Sequence, residues 1–145
     1  MKIVVQRVRQ ASLKVNGELV SEIGKGLVVF FGVKVGDDKT AVEPLVKKIA
    51  ALRIFEDEAG KMNLSVKDVG GEVLFVSQFT LYGDAKKGNR PSFTQAERPE
   101  AANALYEYAA ERLRLQGVPV RTGVFGADMK ILQENDGPVT IIYEV

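Results

Sequence analysis

Leu74-Phe75-Val76-Ser77-Gln78-Phe79-Thr80-Leu81-Tyr82-Gly83 changes character halfway along. Val73 through Val76 is uninterruptedly apolar, the pattern of a strand covered on both faces. Ser77, Gln78 and Thr80 then put polar side chains into a run that Phe79 and Leu81 keep apolar. Polar groups inside a buried strand are costly unless each finds a partner. Two readings are open. The polar groups are satisfied hydrogen-bonding groups at a strand end, or they form the floor of a pocket, with hydroxyls and backbone amides aimed at a ligand.

Upstream, Gly70-Gly71 breaks the chain just before this strand. Ile3 to Val8 reads as a first strand, Ala11 to Val15 continues extended, and Asn16-Gly17 is a two-residue hairpin signal. Glu18 to Ile23 returns, Gly24-Lys25-Gly26 turns again, and Leu27 to Val33 is a second fully apolar strand; together these predict an antiparallel meander. Gly36-Asp37-Asp38 offers a helix cap, and Val42, Leu45, Val46, Ile49 and Leu52 make one apolar helical stripe, with Pro44 expected in the first turns. Leu52 to Phe55 leads out, and Glu56 to Gly60 is turn-like.

Downstream, Gly83 to Phe93 is a loop. Pro99 starts a second helix, with Glu100 favourable at its positive end. Leu105, Tyr108, Ala109, Arg112 and Leu113 are its expected inner face, and Gly117 its C-cap. Val118 to Arg121, Met129 to Gln133 and Val139 to Tyr143 are the remaining strands. Strands and helices do not alternate strictly enough for a doubly wound parallel sheet, so the order predicts one α+β domain over residues 1–145, with mainly antiparallel pairing.

The 145 residues include no Cys and no His, and the net charge is +1. There is thus no disulfide framework, no thiolate zinc site and no Ser-His-Asp triad. A zinc site lacks its usual ligands, which leaves a carboxylate-bound Mg²⁺ as the open metal option; no cofactor is expected. RNA contact would have to come from a local basic patch. The N-terminus is charged too early for a signal peptide, and no apolar run approaches the roughly twenty residues a membrane span needs, so a soluble, cytoplasmic protein is expected.

Ser77-Gln78-Phe79-Thr80-Leu81, followed by Gly88-Asn89-Arg90-Pro91-Ser92-Phe93, resembles the D-aminoacyl-tRNA deacylases. The resemblance extends in order through Gln6-Arg7-Val8 with Ala11-Ser12, Arg53-Ile54-Phe55, Gly60-Lys61-Met62-Asn63, Phe125-Gly126-Ala127-Asp128-Met129 and Asn135-Asp136-Gly137-Pro138-Val139-Thr140. It implies a β-barrel-like core with two main helices packed outside, a homodimer, and hydrolysis of the ester between a D-amino acid and the terminal ribose of tRNA.

Ser77 and Thr80 carry hydroxyls but have no evident base, and no acidic residue lies inside either motif. A covalent acyl-enzyme is therefore disfavoured. Backbone amides around Gln78, Phe79 and Thr80 are the expected oxyanion hole, with water, helped by the substrate 2′-hydroxyl, attacking. Asn135-Asp136-Gly137-Pro138 is also a plain turn signature. The resemblance implies instead that Gly137 and Pro138 form a cis-proline motif. It would reach into the partner subunit's pocket, where its carbonyls would exclude an L side chain. Arg7 would brace that turn or be a surface arginine. Lys86, Lys87 and Arg90 are candidate tRNA contacts or a solvated loop. Phe79 and Met129 are candidates for an adenine pocket or ordinary core. The competing function is a non-catalytic nucleic-acid-binding dimer on the same scaffold.

Overall fold

The computed structural model describes all 145 residues. Its longest elements are two strands, β1 (Lys2–Val15) and β8 (Met129–Glu144), which run antiparallel along their whole length. On its other edge β1 pairs with β3 (Gly26–Gly32) through its first half and with β2 (Glu18–Ile23) through its second. The expected meander is therefore rearranged. β2 follows β1 through a hairpin in which Asn16 and Gly17 both have positive φ, but β3 returns to β1 rather than to β2.

From β3 the sheet continues in parallel: β3 pairs with β6 (Glu72–Ser77) and β6 with β7 (Val120–Thr122). A small hairpin of β4 (Phe55–Glu56) and β5 (Met62–Leu64) stands apart. The sheet curls until Ser21 on β2 donates its hydroxyl to the Thr122 carbonyl on β7. The result is an α+β fold with a nearly closed, barrel-like sheet and two helices outside.

This curling explains the apolar runs. Leu27, Val29, Phe31, Val73 and Phe75 face the helices in the larger core, whereas Val28, Leu74 and Val76 face a second cluster with Val8, Leu13 and Ile23. β3 and β6 are thus covered on both sides, which is what uninterrupted Val, Leu and Phe signal.

Helix α1 (Lys39–Ala51) is capped by Asp38, whose carboxylate accepts from the Thr40 amide at 2.9 Å. It buries Val42, Leu45, Val46 and Ile49, each worth roughly 1.5–3 kcal/mol of transfer free energy. Leu52 is only partly buried. Pro44 lies in the helix interior rather than its first turn, so it removes one intrahelical hydrogen bond.

Helix α2 (Pro99–Leu115) ends at Gly117, whose φ of +82° and amide bond to the Arg114 carbonyl form the cap. Its buried face is Ala102, Leu105, Tyr106, Ala109, Ala110 and Leu113. Tyr108 and Arg112 are not on that face. They turn toward α1, where both donate to Glu43 Oε1 at 2.8 Å. These bonds hold the Glu43 carboxyl below its ordinary range, the Arg112 bond first and the Tyr108 bond second.

Residues 129–133 and 139–143 belong to one strand, not two. Gln6 faces Thr140 and Val8 faces Asn135, so two steps along β1 are matched by five along β8. The turn-like Asn135-Asp136-Gly137-Pro138 sequence is a bulge in a continuous strand, which bends the strand locally.

Candidate active site

A cleft of about 600 Å³ opens where β6 ends and α2 begins. That volume lies within the range of small-molecule sites. Its floor is the motif that opened the sequence. Ser77 is the last residue of β6, and the Gln78 amide extends the ladder by one bond, donating to the Phe31 carbonyl at 2.8 Å.

The chain then leaves the sheet in a 3-10 turn, Phe79–Tyr82. Its first donor is the Leu81 amide, to the Gln78 carbonyl at 3.3 Å. The Phe79 and Thr80 amides therefore have no partner within the turn, as at the start of any helix. The expected strand end is thus half strand and half 3-10 turn, because the polar residues fall where the sheet stops.

Ser77, Gln78 and Phe79 line the cleft, but Thr80 does not. Its hydroxyl accepts a hydrogen bond from the Gln78 side-chain amide at the surface. Phe79 is 54% exposed and meets Phe93 edge-on, ring centres 5.2 Å apart. Met129 and Phe125 also line the cleft. Phe125 ties the lining to the core. Phe125 lies against the Tyr106 ring, Tyr106 stacks on Phe75, and the Tyr106 hydroxyl donates to the Phe75 carbonyl at 2.6 Å. Burial pushes the Tyr106 phenol up to about 12.

Gly137 and Pro138 are exposed, joined by a cis peptide bond, and do not line the cleft of their own chain. Arg7 is 5% exposed rather than a surface residue. Its Nε donates to the Asp136 carbonyl at 3.0 Å and its Nη1 to the Ile54 carbonyl at 2.7 Å, tying the β8 bulge to the segment leaving α1. A Cβ on Gly137 would lie 2.9 Å from Arg7 Nη2.

Lys86, Lys87 and Arg90 are exposed on a loop closed at its base by paired Asp84 and Ser92. They make no ion pair and do not line the cleft.

Three charged residues that sequence reasoning did not single out line the cleft: Glu97, Arg98 and Asp128. Glu97 accepts from the Arg98 amide at 2.7 Å and the Gly36 amide at 3.1 Å. These bonds hold its carboxyl below its ordinary range. Asp128 pairs with Lys130 at 3.1 Å. No three His, Cys, Asp or Glu side chains converge in a way that could hold a metal ion. No helix is long and apolar enough to cross a membrane.

Fold and cleft define a class: a small α+β domain with a ligand-sized recess, lined mostly by apolar residues, at the end of a central strand. Residues 4–144 match the family described as D-Tyr-tRNA(Tyr) deacylase. A protein of Thermomicrobium roseum named D-aminoacyl-tRNA deacylase is 57% identical over 97% of this chain and 92% of its own. One of Desulfitobacterium hafniense with the same name is 56% identical over 99% and 97%.

Among solved structures, one named c-Myc DNA Unwinding Element Binding Protein superposes with a TM-score of 0.94 at 45% identity, covering 100% of this chain and 99% of that one. Another, described as a probable eukaryotic D-amino acid tRNA deacylase, shares the fold with a TM-score of 0.86 at 20% identity, covering 99% and 98%. The chain belongs to the D-Tyr-tRNA(Tyr) deacylase family.

Proposed function

We propose that this protein hydrolyses the ester bond of D-aminoacyl-tRNA, releasing free D-amino acid and intact tRNA in the cytoplasm. The observation that carries this reading is near-full-length identity of 56–57% with relatives named for that activity. The cleft adds chemical support. The Phe79 and Thr80 amides are unpartnered within their turn, at the strand end where Ser77, Gln78 and Phe79 line the recess. Donors of this kind stabilise an oxyanion as the tetrahedral intermediate forms, and removing one typically costs on the order of a hundredfold in rate. The attacking group is water, assisted by the substrate ribose 2′-hydroxyl. No acyl-enzyme is required.

Handedness is selected by Gly137 and Pro138 acting across a homodimer. Their carbonyls occupy the space an L side chain needs, and a D side chain points elsewhere. Two observations support action in trans. The pair does not line its own chain's cleft, and β8 carries exposed Leu132 (77%) and Ile142 (67%) on its outer face, the kind of apolar surface a partner covers. Steric exclusion leaves glycyl-tRNA, which has no side chain, as a substrate.

A second reading has one observation in its favour: the 45%-identical structure is named for DNA-element binding. On that reading the protein binds nucleic acid without catalysis. Incubation with D-tyrosyl-tRNA and L-tyrosyl-tRNA separates the two. Release of D-tyrosine alone is expected; binding without release would favour the second reading, and equal release from both would refute selection by handedness. Inactivation by a chelator would point to a metal hydrolase instead.

A further inference from the structure

We propose that Arg98 is the phosphate-binding residue of this cleft, contacting the phosphodiester immediately 5′ of the terminal nucleoside. The proposal rests on the reading that the cleft takes an aminoacylated 3′ end. Among the residues lining the cleft, Arg98 is the only Lys or Arg. The two carboxylates that also line the cleft are already engaged, Glu97 by two backbone amides and Asp128 by Lys130.

The Arg98 guanidinium makes no ion pair and donates no hydrogen bond within the protein. Its main chain, by contrast, is fixed on both sides. The amide donates to Glu97 at 2.7 Å, and the carbonyl accepts from Ala102 at 2.9 Å as the first bond of α2. A free planar donor fork on an anchored backbone, in a recess whose two carboxylates already have partners, suits a phosphate better than a carboxylic ester. The ester end needs the main-chain donors at Phe79 and Thr80. The phosphate end needs a cation, and the loop cations Lys86, Lys87 and Arg90 do not line the recess.

The experiment compares two esters, D-tyrosyl-tRNA and the phosphate-free 3′-D-tyrosyl-adenosine, with wild type, Arg98→Gln and Arg98→Lys. On the tRNA ester, Arg98→Gln should raise KM about tenfold at nearly constant kcat, the size of one charge-assisted hydrogen bond. The slope of log(kcat/KM) against log[salt] should flatten by about 0.7, one phosphate contact to a single strand. Arg98→Lys should recover part of the KM. On the adenosine ester the wild type and both variants should agree within about twofold.

An unchanged KM and salt slope on tRNA would overturn the proposal and leave the deacylase reading intact. So would an equal loss on both esters, which would put Arg98 at the reacting end. Wild type that hydrolyses neither ester would sink the deacylase reading itself, and the proposal with it.

Discussion

Gly137→Ala is the sharpest probe of how the β8 bulge is held. Gly137 has a φ of +119°, a conformation that L side chains rarely adopt, and forcing alanine into it costs about 1–3 kcal/mol. The new methyl would also stand 2.9 Å from Arg7 Nη2 and 3.0 Å from Val139 Cγ2.

Arg7 cannot swing away freely, because its Nε and Nη1 are bonded to the Asp136 and Ile54 carbonyls. Displacing the guanidinium of the buried Arg7 breaks at least one charge-assisted bond, worth about 1.5–3 kcal/mol. Together the two effects come to about 2.5–6 kcal/mol. For a chain of this length that is a fall in Tm of roughly 8 °C or more.

Gly60→Ala is the control. Gly60 also has positive φ, +74°, but a Cβ there meets nothing within 4 Å. It should cost only about 1–2 kcal/mol. Scanning calorimetry of both variants at one protein concentration measures the difference. Equal shifts for the two, or a Gly137→Ala shift under about 2 °C, would refute the argument that Arg7 is clamped against the bulge.

Three further outcomes follow from the same structure. Thr80→Ala should lose much less than the roughly hundredfold expected for a missing oxyanion donor, since its hydroxyl is held by Gln78 and its amide survives truncation; total loss in steady-state kinetics, with an acyl adduct on the wild-type hydroxyl by mass spectrometry, would contradict this. Gly26→Ala should destabilise by upwards of about 3 kcal/mol in urea unfolding, because its Cβ would lie 1.8 Å from the Glu72 carbonyl oxygen, which is backbone and cannot rotate away.

The third concerns pH. Glu43 titrates below its ordinary value of 4.5 in the folded protein. Its stabilising effect is therefore present above about pH 4.5 and lost as pH falls through the lower folded-state value. Glu43→Gln should lower Tm near neutrality, and the gap to wild type should close on acidification. A gap that widened at low pH would reverse the assignment.

Much of the fold is legible where burial leaves a periodic trace. The α1 stripe is plain because an amphipathic helix must show one. The apolar runs Leu27–Val33 and Val73–Val76 correctly announce strands covered on both faces. The same signal fits the two parallel pairs, β3–β6 and β6–β7, within a mainly antiparallel sheet, since double coverage is the habit of parallel strands.

Strand order is not local information. Asn16-Gly17 specifies the β1–β2 hairpin, but nothing in Leu27–Val33 says that it returns to β1. β8 looks like two strands because Asn-Asp-Gly-Pro has turn chemistry, and a bulge uses the same residues as a turn. On α2, Tyr108 and Arg112 fall close enough to the apolar stripe to join it by spacing, and only the position of Glu43 on α1 shows why they do not.

Of the site, Ser77 and Gln78 stand out as polarity misplaced in an apolar run, next to Phe79. Glu97 and Arg98 give no such trace, being ordinary charges ahead of a helix proline. Only the third dimension brings them to the recess.

The β8 bulge also bears on solubility. β8 is hydrogen-bonded on one side only, to β1, and an open edge sixteen residues long is a template for adding further strands. The surplus residues around Gly137, with a proline that has no N–H to offer, break that edge into two short stretches, so an intruding chain cannot zip along it. Deleting them to straighten the strand would trade a kinked border for a continuous one, and the molecule should then polymerise edge to edge.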